Sequence, residues 1–206
     1  MPAGDATRVT IVGIAGGSGS GKTWLARRLC ARLGRQAALL AADDYYRDLS
    51  HLTPAELAAH NFDCPEALDG AELAAHLAAL KAGQAVLQPR YDFTTHRRAA
   101  APERLEPRPV IVAEGLFLLA LPELRRWLDI KVFVAAPEAE RRARRLARDQ
   151  AERGIGPDEA ARQYNETVAP MHERWVAPSQ RCADYVASAG DGAVAAILRR
   201  LEGVAP

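Results

Sequence analysis

Gly16-Gly17-Ser18-Gly19-Ser20-Gly21-Lys22-Thr23 satisfies the spacing G-x-x-x-x-G-K-[ST]. In that pattern glycines let backbone N–H groups curl around a phosphate, the lysine reaches β- and γ-phosphates, and the hydroxyl binds the accompanying Mg²⁺. A helix opening at the lysine adds partial positive charge at the same point. Lysine occurs in the chain only as Lys22, Lys81 and Lys131, the other cationic positions being arginine, so Lys22 is not compositional background. Two carboxylate positions complement the loop. Asp43 and Asp44 break an apolar run abruptly and offer a base for a hydroxyl proton; Asp43 is favoured because it leaves the run first, with Asp44 its rival. Glu114 ends a second apolar run as a Walker-B acid does, where it would hold Mg²⁺ directly or through water.

The densest charge is Arg141, Arg142, Arg144, Arg145, Arg148 and Arg153. Such a run is either a solvated helix face, balanced by Glu138, Glu140 and Asp149, or a lid that carries cations over a phosphate site and excludes water on closing. The phosphate loop favours the lid, spanning about 137–156, with Arg145, Arg148 and Arg153 as its working cations and Gly154-Ile155-Gly156-Pro157 as a hinge.

These groups require a frame. Val9–Ala15, Ala37–Ala42, Val110–Gly115, Ile130–Val134 and, more weakly, Ala183–Ala187 read as buried strands. Helices are expected over Thr23–Leu33, from Pro54, over Ala71–Ala82, from Asp158 to Trp175 and over Ala193–Leu201. Strands alternating with helices predict an α/β fold: a three-layer α/β/α domain with a parallel sheet, whose ligand site lies beyond the carboxyl ends of its strands. Residues 1–206 form one domain in this reading. About 45–100 is an insertion building an acceptor-binding wall, with a turn at Asn61–Pro65 and an irregular β-hairpin over 86–98.

With 206 residues and 49% hydrophobic content the chain can bury one substantial core. A net charge of +1 gives no support to a nucleic-acid or membrane-surface partner. Asp5 and Arg8 flank a first apolar run too short for a leader or a spanning helix, so the cytoplasm is expected. Cys30, Cys64 and Cys182 have neither disulfide nor zinc spacing. A GTPase would need N-K-x-D, which is absent, and a mechanical ATPase an acid pair where Glu114 is followed by Gly115. What remains is a kinase with an acceptor pocket between Asp43 and the lid.

Gly13–Thr23, Asp43–Arg47, Asn61–Pro65, Tyr91–His96, Glu114-Gly115 and Arg148–Gly154 occur in the order and spacing of the uridine (uridine-cytidine) kinase family of P-loop kinases, which the chain resembles over roughly 9–187. The resemblance implies transfer of the γ-phosphate of ATP, with GTP the alternative donor, to the 5′-hydroxyl of uridine and cytidine with Mg²⁺. Asp43 is then the base, with Lys22 and Arg148 as catalytic cations. Gly16, Gly17, Ser18, Gly19, Ser20, Gly21, Lys22, Thr23 and Arg153 bind the nucleotide, and Thr23 and Glu114 the metal. Tyr46, Asp63, Tyr91, Phe93, His96, Arg145 and Gln163 form the acceptor site, Asp63 gripping ribose hydroxyls and His96 reading the base. A homotetramer is also implied. Three departures stand out: Cys64 where the family usually has histidine, Ile155 where arginine is common, and Ala187-Ser188-Ala189-Gly190-Asp191 in place of Pro-Arg-Gly near the donor base. Phe62, Phe93 and Tyr45, taken singly, are more often core aromatics, and His51, His60, His76 and His172 are read as surface or core histidines. The competing readings are a phosphoribulokinase-like kinase of another hydroxylated acceptor and a non-catalytic nucleotide-binding regulator.

Overall fold

The first apolar run is buried on both faces as strand β1 (Thr10–Gly16). Ile11 and Ala15 enter one core with Leu40, Leu73, Leu77 and Ile111. Val12 and Ile14 enter another with Leu25, Leu29, Val194 and Ile197. Burial on both faces is why the strand reads as a continuous apolar run rather than an alternating one. The computed structural model describes residues 9–203, and the charged stretch 1–8 used in the localisation argument lies outside them.

After the phosphate loop come α1 (Lys22–Leu33) and β2 (Ala37–Ala41), then α2 (Pro54–Ala59) and α3 (Gly70–Lys81). Four short strands follow: β3 (Val86–Gln88), β4 (Tyr91–Asp92), β5 (Arg97–Arg98) and β6 (Glu103–Leu105). The remainder is β7 (Val110–Glu114), α4 (Pro122–Arg125), β8 (Ile130–Val134), α5 (Glu138–Arg153), α6 (Pro157–Gln163), α7 (Ala169–Met171), α8 (Ala177–Ser179), β9 (Tyr185–Ala187) and α9 (Asp191–Glu202). The parallel sheet has the order β2-β7-β1-β8-β9. Helices α1 and α9 cover one face, and α3 and α4 the other. This is the expected three-layer α/β/α arrangement.

Two segments depart from expectation in detail. Instead of one hairpin over 86–98, two nested antiparallel ladders form, β3 with β6 and β4 with β5, reaching Leu105. Pro89, which has no N–H to donate, falls between β3 and β4 and interrupts the ladder there. The helix expected from Asp158 runs on to Ser179, with wide π-turns at Tyr164–Val168 and His172–Val176. Each wide turn precedes a proline, Pro170 or Pro178, and contains the residue four positions back whose carbonyl the ring would strike. Expanding the turn relieves that clash without ending the helix.

Candidate active site

Strand register assembles the centre. Ala41 and Ile14 both lie opposite Glu114, so β2 and β7 end level while β1 runs on to Gly16, and the residues that follow meet above them. Gly21, at φ 94°, turns the chain into α1, whose first turn has neither a side-chain cap nor an acidic residue. Its N–H groups are left for an anion. Gly19, at φ 76°, lies so close to α5 that an added Cβ would sit 2.3 Å from the Arg141 carbonyl oxygen. Lys22 is buried, 5% exposed.

Thr23 donates its hydroxyl to Glu114 Oε1 at 3.0 Å. Glu114 is 3% exposed and its Oε2 is buried without a hydrogen-bond partner among the described residues. Burial pushes its carboxyl up to about 7, against the pull of Lys22 and with a further push from Asp43. A buried carboxylate with an orphaned oxygen, beside a threonine hydroxyl, fits a hard divalent cation that takes its remaining ligands from phosphate and water. Among the described residues no cluster of three or more His, Cys, Asp or Glu is arranged to hold a metal alone.

Asp43 and Asp44 sit in a short 3₁₀ turn after β2 (Ala42–Tyr45) and are separated by what they touch. Asp44 accepts from Gln88 Nε2 at 2.8 Å, Arg90 Nη1 at 3.2 Å and the Tyr91 N–H at 3.2 Å, fastening the nested ladders to the sheet. Asp43 faces a cavity of about 490 Å³ together with Lys22 and Ser18. No hydrogen bond or ion pair is found for its carboxylate among the described residues.

Tyr46, Phe62, Phe93 and His96 wall that cavity. Phe62 stacks on His96 at 4.4 Å and 20°, and Tyr46 meets Phe93 edge-on at 5.6 Å. His96 takes φ 54°, a strained value for a residue with a side chain, and burial lowers its pKa, favouring the neutral ring. Tyr91 is placed behind this wall, 5.4 Å from Tyr46 and 5.0 Å from Phe93, and is not among the residues lining the cavity. Tyr45 is a core aromatic, its hydroxyl 2.8 Å from His76 Nδ1.

Asp63 and Arg145 also line the cavity and pair at 3.2 Å, both nearly buried. Burial opposes the charge of Arg145, but Asp63 and Asp149 hold its guanidinium firmly ionised. The turn that presents Asp63 survives Cys64: its thiol donates to the Asn61 carbonyl at 3.2 Å, and Asn61 Oδ1 accepts from the Asp63 N–H at 2.9 Å. Arg145 and Arg148 both donate to Ser18 Oγ, at 3.2 and 3.1 Å, so α5 is hydrogen-bonded directly to the phosphate loop. Arg153 pairs with Asp149 at 3.1 Å and lies 4.5 Å over the Phe93 ring, tying the end of α5 to the ladders. Gln163 is at the mouth, its amide donating to Glu159 at 2.8 Å, and Ile155 adds an apolar patch nearby.

Sequence reasoning gave no site role to Phe62 or His60, both in the cavity wall, nor a specific role to Arg141 or His172. His60 lines the cavity and meets Phe62 edge-on at 4.7 Å. Arg141 and His172 back the phosphate loop, each reaching within 2.9 Å of where a Cβ on Gly17 would stand. Phe62 lies within Asn61–Pro65 and His60 just before it, and Arg141 stands in the dense arginine run, all usable signals; His172 had none. A second cleft, of about 440 Å³, adjoins the loop at Ser20 and Gly21 and is bounded by Trp24, Pro137, Ser188 and Ala189.

A parallel sheet whose central strand ends in a phosphate loop, with Glu114 closing the adjacent strand β7, Asp43 following β2 beyond it and an acceptor cavity alongside, defines a P-loop phosphotransferase. The chain belongs to the Phosphoribulokinase / Uridine kinase family, whose model matches residues 11–193. It is an ATP-dependent kinase. It is 49% identical over 181 residues to a uridine kinase of Chloroflexus aggregans, an alignment covering 87% of each chain. Among solved structures it is similar to a kinase from Silicibacter sp. TM1040 ascribed to a fructose transport system, with TM-score 0.73, 25% identity and coverage of 90% and 92%. The phosphoribulokinase of Rhodobacter spheroides shares the fold at TM-score 0.61 and 15% identity, covering 90% of this chain and 73% of its own.

Proposed function

We propose that this chain transfers the γ-phosphate of ATP to the 5′-hydroxyl of uridine and cytidine, giving UMP and CMP. The observation that carries the reading is the cavity of about 490 Å³, with Lys22 and Asp43 at its base, an aromatic wall and the Asp63–Arg145 pair. A nucleoside has matching parts: a 5′-hydroxyl for Asp43, vicinal hydroxyls for Asp63, and a flat base for Phe62, Phe93 and His96. A carboxylate accepts two neighbouring O–H groups at once, which favours ribose over deoxyribose.

Asp43 takes the proton of the attacking hydroxyl, while Lys22 and the N–H groups of the loop hold the phosphates in line. Arg148 has no carboxylate partner among the described residues and stands beside Ser18, where its charge meets the transferring group. Thr23 and Glu114 would hold Mg²⁺, which when bound would supply neutralisation of the phosphate charge. Closure of α5 as a lid over the phosphates excludes water. Residues 1–206 act as one domain, with 45–100 as the acceptor wall and 137–156 as the lid. The protein is expected in the cytoplasm as a homotetramer without nucleic-acid or membrane partners. Among the described residues no helix is long and apolar enough to cross a membrane.

An acceptor bearing its own phosphate fits less well. Of the arginines around the cavity, Arg145 and Arg153 are taken by Asp149, and Arg162 by Glu159 and Glu166. Mg-ATP-dependent phosphorylation of uridine and cytidine, with ribulose 5-phosphate as control, tests the assignment. Asp43→Asn is expected to lower kcat about 10²–10⁴-fold. Turnover confined to the sugar phosphate, or ATP binding without any product, overturns it.

A further inference from the structure

Two arginines of α5 are buried, and their surroundings differ. Arg145 is held by the carboxylates of Asp63 and Asp149. Arg141 is 5% exposed and pairs with no carboxylate among the described residues. Its Nε donates to the Ala136 carbonyl at 3.3 Å, and its Nη1 is buried without a hydrogen-bond partner there. The group facing it is His172, whose Nδ1 is likewise buried and unpartnered among the described residues. The two nitrogens converge on one point, since a Cβ on Gly17 would stand 2.9 Å from Arg141 Nη1 and 2.8 Å from His172 Nδ1. Burial, reinforced by Arg141, lowers the imidazole's pKa to about 4, so it offers no counter-charge.

Arg141 meets the phosphate loop with its main chain as well, its carbonyl oxygen lying 2.3 Å from where a Cβ on Gly19 would be. Its cation is therefore pressed against Gly17 from behind, and it lines neither the acceptor cavity nor the clefts on either side of Trp24. A buried cation without its partner is destabilising. The loop's N–H groups and the start of α1 add positive potential at the same place, which raises that cost. An anion seated in the loop relieves all of these charges together, and the low dielectric of the buried surroundings lets the attraction act across the loop.

We propose that Arg141 is a positioning residue for the phosphoryl donor: acting through the loop without touching substrate, its unpaired charge is a counter-ion for the polyphosphate, and the ligand-free protein is less stable for carrying it. This rests on the loop holding ATP and is independent of which acceptor is phosphorylated.

Arg141→Met removes the charge while keeping an unbranched apolar stem, and Arg141→Lys keeps the charge. Calorimetry without acceptor is expected to find ATP bound roughly tenfold more weakly by Arg141→Met, with a smaller loss for ADP and the least for AMP. Arg141→Lys should recover most of the affinity. The ligand-free Tm of Arg141→Met should equal or exceed that of wild type, whereas its rise with saturating ATP shrinks. A merely structural arginine gives another pattern: a lower ligand-free Tm, equal losses for the three nucleotides, and no rescue by lysine. That pattern, or an unchanged ATP affinity in Arg141→Met, overturns the proposal. No acceptor is present in these measurements, so a failure of the uridine and cytidine assignment leaves them untouched and is distinguishable from a failure here.

Discussion

Asp43 and Asp44 leave β2 side by side, and their surroundings assign them different work. Asp44→Asn removes the charge from three hydrogen bonds that anchor the nested ladders, each of which contributes about 1.5–3 kcal/mol when one partner is ionised. The expected outcome is a lowered Tm and a raised KM for uridine with kcat largely kept, the opposite split from Asp43→Asn; parallel kinetics on both variants check it. His172 supports a pH prediction. Burial, reinforced by Arg141, lowers its pKa to about 4, while Glu173 stands 4.0 Å from Nε2. The unfolded chain, with a histidine pKa of about 6.5, binds the extra proton first, so this group's contribution is full above that value and is lost as the pH falls toward 4. Urea midpoints at pH 7.5 and pH 5 should diverge more for wild type than for His172→Phe. The residues legible in the sequence, Lys22, Thr23, Asp43 and Glu114, are those fixed by position at a strand end. His172 gains its place through packing across more than a hundred residues, and no local pattern marks it.

At the scale of elements, α5 was ambiguous from sequence between solvated face and working lid. Its arginines divide: Arg141 and Arg145 are buried against the site, while Arg144 pairs with Glu140 in solvent. What the alternation of charges did not disclose is Asp149, 1% exposed, which pairs with Arg145 and Arg153 at once. Asp149→Ala leaves those cations buried without it and is expected to cost about 3–5 kcal/mol, measurable by urea denaturation. The segment after α5 holds two glycines with different expectations. Gly154 caps the helix at φ 66° and Gly156 sits at φ −62°, and a Cβ meets nothing at either. Gly154→Ala should destabilise by about 1–2 kcal/mol, whereas at Gly156, the N-cap of α6, the unfolded-chain entropy gained by Gly156→Ala is offset by the poorer cap, so the change should be smaller than about 1 kcal/mol. Equal urea midpoints for the two variants would contradict this. The helices and strands themselves were readable from periodicity, but the wide turns before Pro170 and Pro178 were not, because sequence patterns treat proline as a stop and neglect expansion of the helix as an escape.

Across the whole molecule, the two clefts open on opposite sides of one loop, the acceptor cavity toward β2 and the ladders, the other toward β9. A compound joining adenosine and uridine through their 5′-phosphates should therefore occupy both, and its binding gains the effective concentration of the linked second half. Calorimetry is expected to find a Kd at least about 10²-fold below that of either half. The sheet order has a further consequence, for synthesis. β1 takes no partner from its own vicinity: β2 lies beyond β7, and the pairing of β1 begins with Thr10 opposite Val110. Until some hundred further residues have left the ribosome, the strand that carries the phosphate loop has nothing to hydrogen-bond to, and its other flank waits longer, for Ile130. Such distant pairing slows folding and lengthens the exposure of apolar strands. The phosphate loop is thus translated well before the strands that hold it in place, and the nascent chain carries an exposed Val9–Ala15 until they emerge.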